Sequence, residues 1–242
     1  MLSNQIKSYG IVVAIALAPM VAHAEPSDYD LALRSQIAWG PTISPDTVSL
    51  STEGGWNGGD RRAVVSAAVE ATLLPRLSLL TNATYGGLTD HARPAIGAAY
   101  QLLDPRTSSI GARLSLSYKP EGFTEPEGEL ESVLILSHQI PGGMVRGMLA
   151  YGQDPERNES DVEGGASLVQ RVSPDLVIGG TFRYRRGLVI KTGEPSWDAL
   201  GGVLGGMAIG RARVELMVGA DGIKYSSAQW GIVGLVSIGT DL

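Results

Sequence analysis

Apolar and polar side chains alternate with period two along most of this chain, and that pattern limits its fold more than any other feature. Leu77, Leu79, Thr81, Ala83 and Tyr85 interleave with Arg76, Ser78, Leu80, Asn82 and Thr84. Ile110, Ala112, Leu114, Leu116 and Tyr118 interleave with Ser109, Gly111, Arg113, Ser115 and Ser117. Leu176, Ile178, Gly180, Phe182 and Tyr184 alternate with Thr181, Arg183 and Arg185, and Ala212 to Ala220 repeats the pattern around Arg211, Arg213 and Glu215. Successive strand side chains point to opposite faces, so each segment is a strand with one apolar and one charged face.

The connections between these segments alternate in length. Short ones fall at 74–76, 104–108, 140–143, 173–175 and 209–211; longer, more polar ones at 53–60, 86–92, 120–128, 153–158, 187–195 and 221–226. Pro, Gly, Asp and Ser at the short sites are turn formers. The pattern predicts about twelve strands: 45–55, 61–73, 76–86, 93–102, 109–119, 129–139, 144–152, 160–171, 175–186, 196–207, 211–220 and 227–240.

Tyr85, Tyr118, Tyr151 and Tyr184 are spaced by 33 residues, each on the apolar parity near the end of a strand that follows a short turn. Trp56 shares that parity, and Trp197 and Trp230 begin strands at a matching height. Amphipathic rings favour a membrane–water interface, so these seven residues are read as an aromatic girdle. A period of 33 also suits ankyrin repeats, but no ankyrin signature or 3.6 period accompanies it here. A soluble β-sandwich alternates too. It does not account together for the matched aromatic heights, the alternating loop lengths and the export signal that the N-terminus carries.

That signal is expected over residues 1–24. Lys7 lies in a start without acids, an apolar run covers 11–22, and Ala22-His23-Ala24 offers small residues at a cleavage site before Glu25. The apolar run is too short to span a membrane as a helix, and nothing in 25–242 approaches the ~20 apolar residues a spanning helix needs. Without Lys7, 18 Lys and Arg face 25 Asp and Glu, a net charge of −7. That balance argues against a general nucleic-acid binder. No cysteine is present, so an exported chain of this kind is not a disulfide-stapled module. Glycine is abundant at 32 and phenylalanine scarce at 2, a composition that suits a lumen lined by small residues.

The expected export signal, alternating strands, tyrosine girdle and alternating turns resemble the bacterial outer-membrane β-barrel class over nearly the whole chain after residue 24. The resemblance implies an all-β, closed, antiparallel up-and-down transmembrane barrel with short periplasmic turns and longer extracellular loops. It implies contact with outer-membrane lipid and lipopolysaccharide, and passage through the barrel-assembly machinery. Proteins of this class usually end in an aromatic residue; this chain ends in Leu242. The barrel is expected over 45–242. Residues 25–44, where Tyr29, Leu31, Leu33, Ile37 and Trp39 share one parity, are read as an arm, a plug or an extra strand.

On the polar parity, Arg113, Arg146, Arg183, Arg185, Arg213, Glu131, Glu163 and Glu215 are candidates to line a lumen, interspersed with small residues such as Gly97, Ala99 and Gly202. Guanidinium groups keep their charge, and an arginine track attracts anions through a water-filled pore. In that respect the lumen is similar to twelve-stranded channels for acidic oligosaccharides. Arg and Glu on facing strands equally pair and fill a narrow barrel, and twelve strands lie between filled and open interiors.

Catalysis has few candidates. After residue 24 the histidines are His91, beside Asp90 in an expected loop, and His138, on the lipid-facing parity with Leu134 and Leu136. Neither is in a hydrolase pattern, and H-E-x-x-H, G-x-S-x-G and P-loop motifs are absent. Two acidic groups, Glu121, Glu125, Glu127 and Glu129, then Asp154, Glu156, Glu159 and Asp161, read as solvated loops without EF-hand spacing. No cofactor, metal or catalytic residue is assigned. The leading expectation is a small passive channel with a mild preference for anionic solutes, ahead of an accessory barrel with a plugged lumen and a barrel hydrolase.

Overall fold

A computed structural model describes residues 48–57, 62–86, 89–105, 107–120, 128–156, 159–190, 196–210 and 212–241. The expected export signal, the segment 25–44, the acidic residues Glu121, Glu125 and Glu127, and Leu242 lie outside them. So do the side chains of His91 and its neighbour Asp90.

Twelve strands make up the fold: β1 Val48–Asn57, β2 Arg62–Leu74, β3 Leu77–Gly86, β4 Thr89–Leu103, β5 Ile110–Pro120, β6 Gly128–Ile140, β7 Gly143–Asp154, β8 Glu159–Ser173, β9 Leu176–Val189, β10 Trp197–Ile209, β11 Ala212–Lys224 and β12 Ala228–Asp241. Each pairs antiparallel with its neighbours in sequence, and β1 pairs with β12 from Ser49↔Asp241 to Trp56↔Gly234. The sheet is therefore a closed barrel without edges. Closure is what a spanning sheet requires, because lipid offers no partner to an unpaired backbone group. Strands of 10 to 15 residues reach the 9–11 that a tilted strand needs to cross a bilayer.

Several strands run further than the sequence pattern suggests. β4 begins at Thr89 and β11 continues to Lys224, which shortens the loops expected at 86–92 and 221–226. Alternation persists through these polar ends, and the ladder continues with it. The acidic group at 154–161 is corrected accordingly. Asp154 closes β7 and Glu159 and Asp161 open β8, all on the inward parity, while Glu156 stays in the exposed turn.

The short turns show why their residues were chosen. Pro75 precedes Arg76, whose φ is +78°, and Pro141 precedes Gly142 at +72°. Proline followed by a residue at positive φ is the pattern of a type II turn. Three register shifts, at Thr72/Leu74, Gln101/Leu103 and Arg171/Ser173, sit just before short turns. At one of them the Gln101 amide donates to Leu103 O at 2.6 Å and Ala112 O at 3.0 Å, closing the gap that the bulge opens in the ladder.

Candidate functional site: the barrel lumen

Parity sorts the side chains as expected. Leu116, Leu149, Val203, Val218 and Ile232 stand on the outer face, and none has less than half of its surface uncovered. A continuous apolar exterior of this kind is disfavoured in water and suited to hydrocarbon. The seven aromatic residues share that outer face. Tyr118 pairs with Leu130, Leu130 with Gln153, and Tyr151 stands two residues short of Gln153. The same step leads from Tyr151 through Val162 and Arg186 to Tyr184. A constant offset of this sense is what strand tilt demands of side chains kept at one height. Tyr184, Trp197 and Trp230 touch in series, with ring centroids 6.3 Å and then 5.6 Å apart.

The inward parity carries the polar groups in two tiers. Toward the short turns, Arg113 Nη2 of β5 donates to Glu70 Oε1 of β2 at 3.0 Å, and Ser78 Oγ of β3 donates to the same oxygen at 2.7 Å. Arg146, Arg171, Arg213 and Glu215 lie at the same end on β7, β8 and β11. Arg146 is 2% exposed, and its Nε reaches Met144 Sδ at 3.0 Å. Toward the long loops, Asp198 of β10 bridges two arginines of β9. Its Oδ1 accepts from Arg183 Nη2 at 3.4 Å and its Oδ2 lies 3.9 Å from Arg185 Nη1. Arg183 Nε also faces Glu163 at 3.8 Å, Arg185 Nε donates to Asp161 at 2.9 Å, and Lys119 pairs with Glu131.

The structure therefore brings together residues that the sequence left as a loose set. Arg183, Arg185 and Glu163 form one network with Asp161 and Asp198, while Arg113 belongs to another with Glu70. Glu131 stands beside Lys119.

The sequence reading missed an apolar inner wall that runs from the level of Arg171, which pairs with Val177, to that of Arg183, which pairs with Leu200. Val169, Val177, Leu200, Leu204, Met217, Val233 and Leu235 pack into one buried cluster on β8 to β12. All seven have inward parity, and Val233 is wholly buried. The available signal was a near-continuous apolar run in β10 and β12, which marks strands covered on both faces. Scoring strands by the charge on one parity hides it.

Opposite that wall a cavity of about 190 Å³ remains, lined among others by Ser49, Ser51, Ser66, Ser115, Asn82 and Glu70. It lies against β1, β2, β3, β5, β6 and β12. Polar lining and this volume suit several waters. His138 is on the outer face, exposed, with Nδ1 donating to Ser109 O at 3.2 Å.

Comparison with solved structures finds the same architecture. The NanC porin superposes with a TM-score of 0.60 at 9% identity, covering 80% of this chain and all of the other. The KdgM porin in complex with disordered oligogalacturonate gives 0.56 at 12% identity, covering 80% and 99%. The COG4313 outer membrane channel from Pseudomonas putida F1 gives 0.54 at 8% identity, covering 83% and 97%.

The chain is a closed twelve-stranded antiparallel β-barrel with the fold of these porins and channels.

At these identities the likeness extends to the fold, and a shared fold leaves function to be argued from the site. No family model and no curated protein matches the sequence. The barrel's apolar exterior, closed twelve-strand sheet and partly apolar lumen are the features from which its role must be read.

Proposed function

We propose that this barrel is a small porin-like channel through which polar solutes pass passively along the wall formed by β1, β2, β3 and β5. The observation that carries this reading is the serine-rich cavity beside Asn82, Glu70 and Arg113. Hydroxyl and amide groups replace part of a solute's hydration shell without holding it tightly, which is what conduction requires. The apolar cluster on β8 to β12 narrows the path to one side of the lumen. The porins that share the fold support the reading, and one of them, KdgM, is recorded with oligogalacturonate.

The five arginines expected to favour anions support at most a mild preference. Carboxylates stand against Arg113, Arg183 and Arg185, and each offsets the field of its partner. Weak ion selectivity is the expected result. Purified protein in planar bilayers should give discrete conductance steps. A sealed bilayer at high protein load refutes the channel. In a salt gradient the reversal potential should lie close to zero, and a large displacement toward either ion refutes the weak selectivity.

An accessory barrel with a closed lumen is favoured by one observation, the buried apolar cluster on the inner wall. Conductance that appears only after deletion of residues 25–44 supports that reading instead.

A further inference from the structure

Three strands carry the same pattern of charge. β7 has Arg146 toward the short turns and Asp154 toward the long loops; β8 has Arg171 and Glu163; β11 has Arg213 and Asp221. In each strand the two residues are eight positions apart, an even number, so they share a face, the inner one on which Arg146, Asp154, Arg171 and Asp221 are buried. In each the arginine lies at the short-turn end and the carboxylate at the long-loop end.

We propose that the lumen is charge-sorted along its axis, with an acidic half in series with a basic half, so that the channel rectifies ionic current. The inference rests on the channel reading above.

Eight residues span about 26 Å along a strand, or about 20 Å along the axis at a tilt near 40°. The Debye length at physiological salt is about 8 Å, so the two halves act on ions separately. Within either half a narrow lumen leaves no ion beyond the reach of the wall, and low-dielectric surroundings focus the field.

Other inward charges modify the pattern without reversing it. At the long-loop end Arg183 and Arg185 stand among three carboxylates, Asp161, Glu163 and Asp198. Lys119 is matched by Glu131, and Glu129 adds a further acid there beside Asp161, while Arg93 adds a cation. At the short-turn end Glu70 is matched by Arg113, and Glu215 stands with three further arginines. Among the described side chains the balance is acidic above and basic below.

The sign of the effect follows from ion drift. With the long-loop side positive, cations enter through the acidic half and anions through the basic half. Both accumulate where the halves meet, and conductance rises. With the polarity reversed, both leave the junction, and conductance falls.

The test uses the full chain in planar bilayers. The native sequence has no cysteine, so a Glu156→Cys variant in the exposed turn of the long-loop end, modified by a membrane-impermeant maleimide added to one compartment, assigns orientation. At 0.1 M KCl the current should be about twofold larger with the long-loop side positive, and the ratio should approach one at 1 M, where the Debye length is about 3 Å. Equal currents at both polarities, or a larger current at the opposite polarity, overturn the inference while leaving the channel intact. Absence of any conductance overturns the channel reading itself.

Two sets of variants give a second signature. Replacing Asp154, Glu163 and Asp221 by Asn, Gln and Asn should bring the current ratio toward one and move the reversal potential toward anions. Replacing Arg146, Arg171 and Arg213 by Gln should also remove rectification but move it toward cations. Rectification that survives both sets overturns the proposal.

Discussion

The guanidinium of Arg113 on β5 reaches Glu70 on β2 across the curve of the inner wall, 3.0 Å away and 43 residues distant in sequence. Two strands, β3 and β4, separate them in the sheet, and Ser78 on the first of these donates to the same carboxylate oxygen.

Truncating Glu70 to Ala should destabilise the barrel by about 3 kcal/mol, because breaking a buried pair from one side leaves the other charge desolvated. The side chains of Arg113 and Glu70 are 9% and 19% exposed, so only the water of the cavity that they line screens the pair. The double variant Glu70→Gln with Arg113→Gln should recover at least half of that loss. Unfolding in urea from detergent or vesicles measures both. Equal losses in the single and double variants would remove the pair from this role.

On the outer face, the indole of Trp230 lies over Gly222 of the neighbouring strand on its way to Trp197. A Cβ at Gly222 would come within 2.6 Å of the ring, so the glycine makes the aromatic contact possible. Gly222→Val should swing Trp230 off the sheet and cost about 1–2 kcal/mol through the lost aromatic packing. The readout is the tryptophan emission spectrum together with the unfolding midpoint. An unchanged spectrum and midpoint would show that the ring has another resting place.

Inside the barrel, Leu204 and Met217 are among the most buried side chains of the apolar wall. Replacing both by Ala should enlarge the lumen and raise single-channel conductance by roughly half or more, at a stability cost of about 2–5 kcal/mol for each truncation. A folded double variant with native conductance would show that the apolar cluster does not narrow the conducting path.

The period-two pattern and the turn residues determined much of this protein in advance. Strand number, their approximate ends and the two-faced character of each strand follow from residues close in sequence, because parity is a local property of an extended chain. The outer position of Tyr85, Tyr118, Tyr151 and Tyr184 follows in the same way, as does the inward position of Arg183 and Arg185. The inner apolar wall was less legible, since Leu200 and Leu204 share their parity with Asp198 and were hidden by the charge on that face. Only the tertiary structure decided that β1 closes on β12, that Arg113 meets Glu70, and that Asp198 serves both Arg183 and Arg185. Those contacts depend on register and curvature summed over several strands, and no local pattern encodes them. The same closure sets three arginines and three carboxylates of β7, β8 and β11 around one lumen, turning a spacing of eight along single strands into a polarity of the whole barrel.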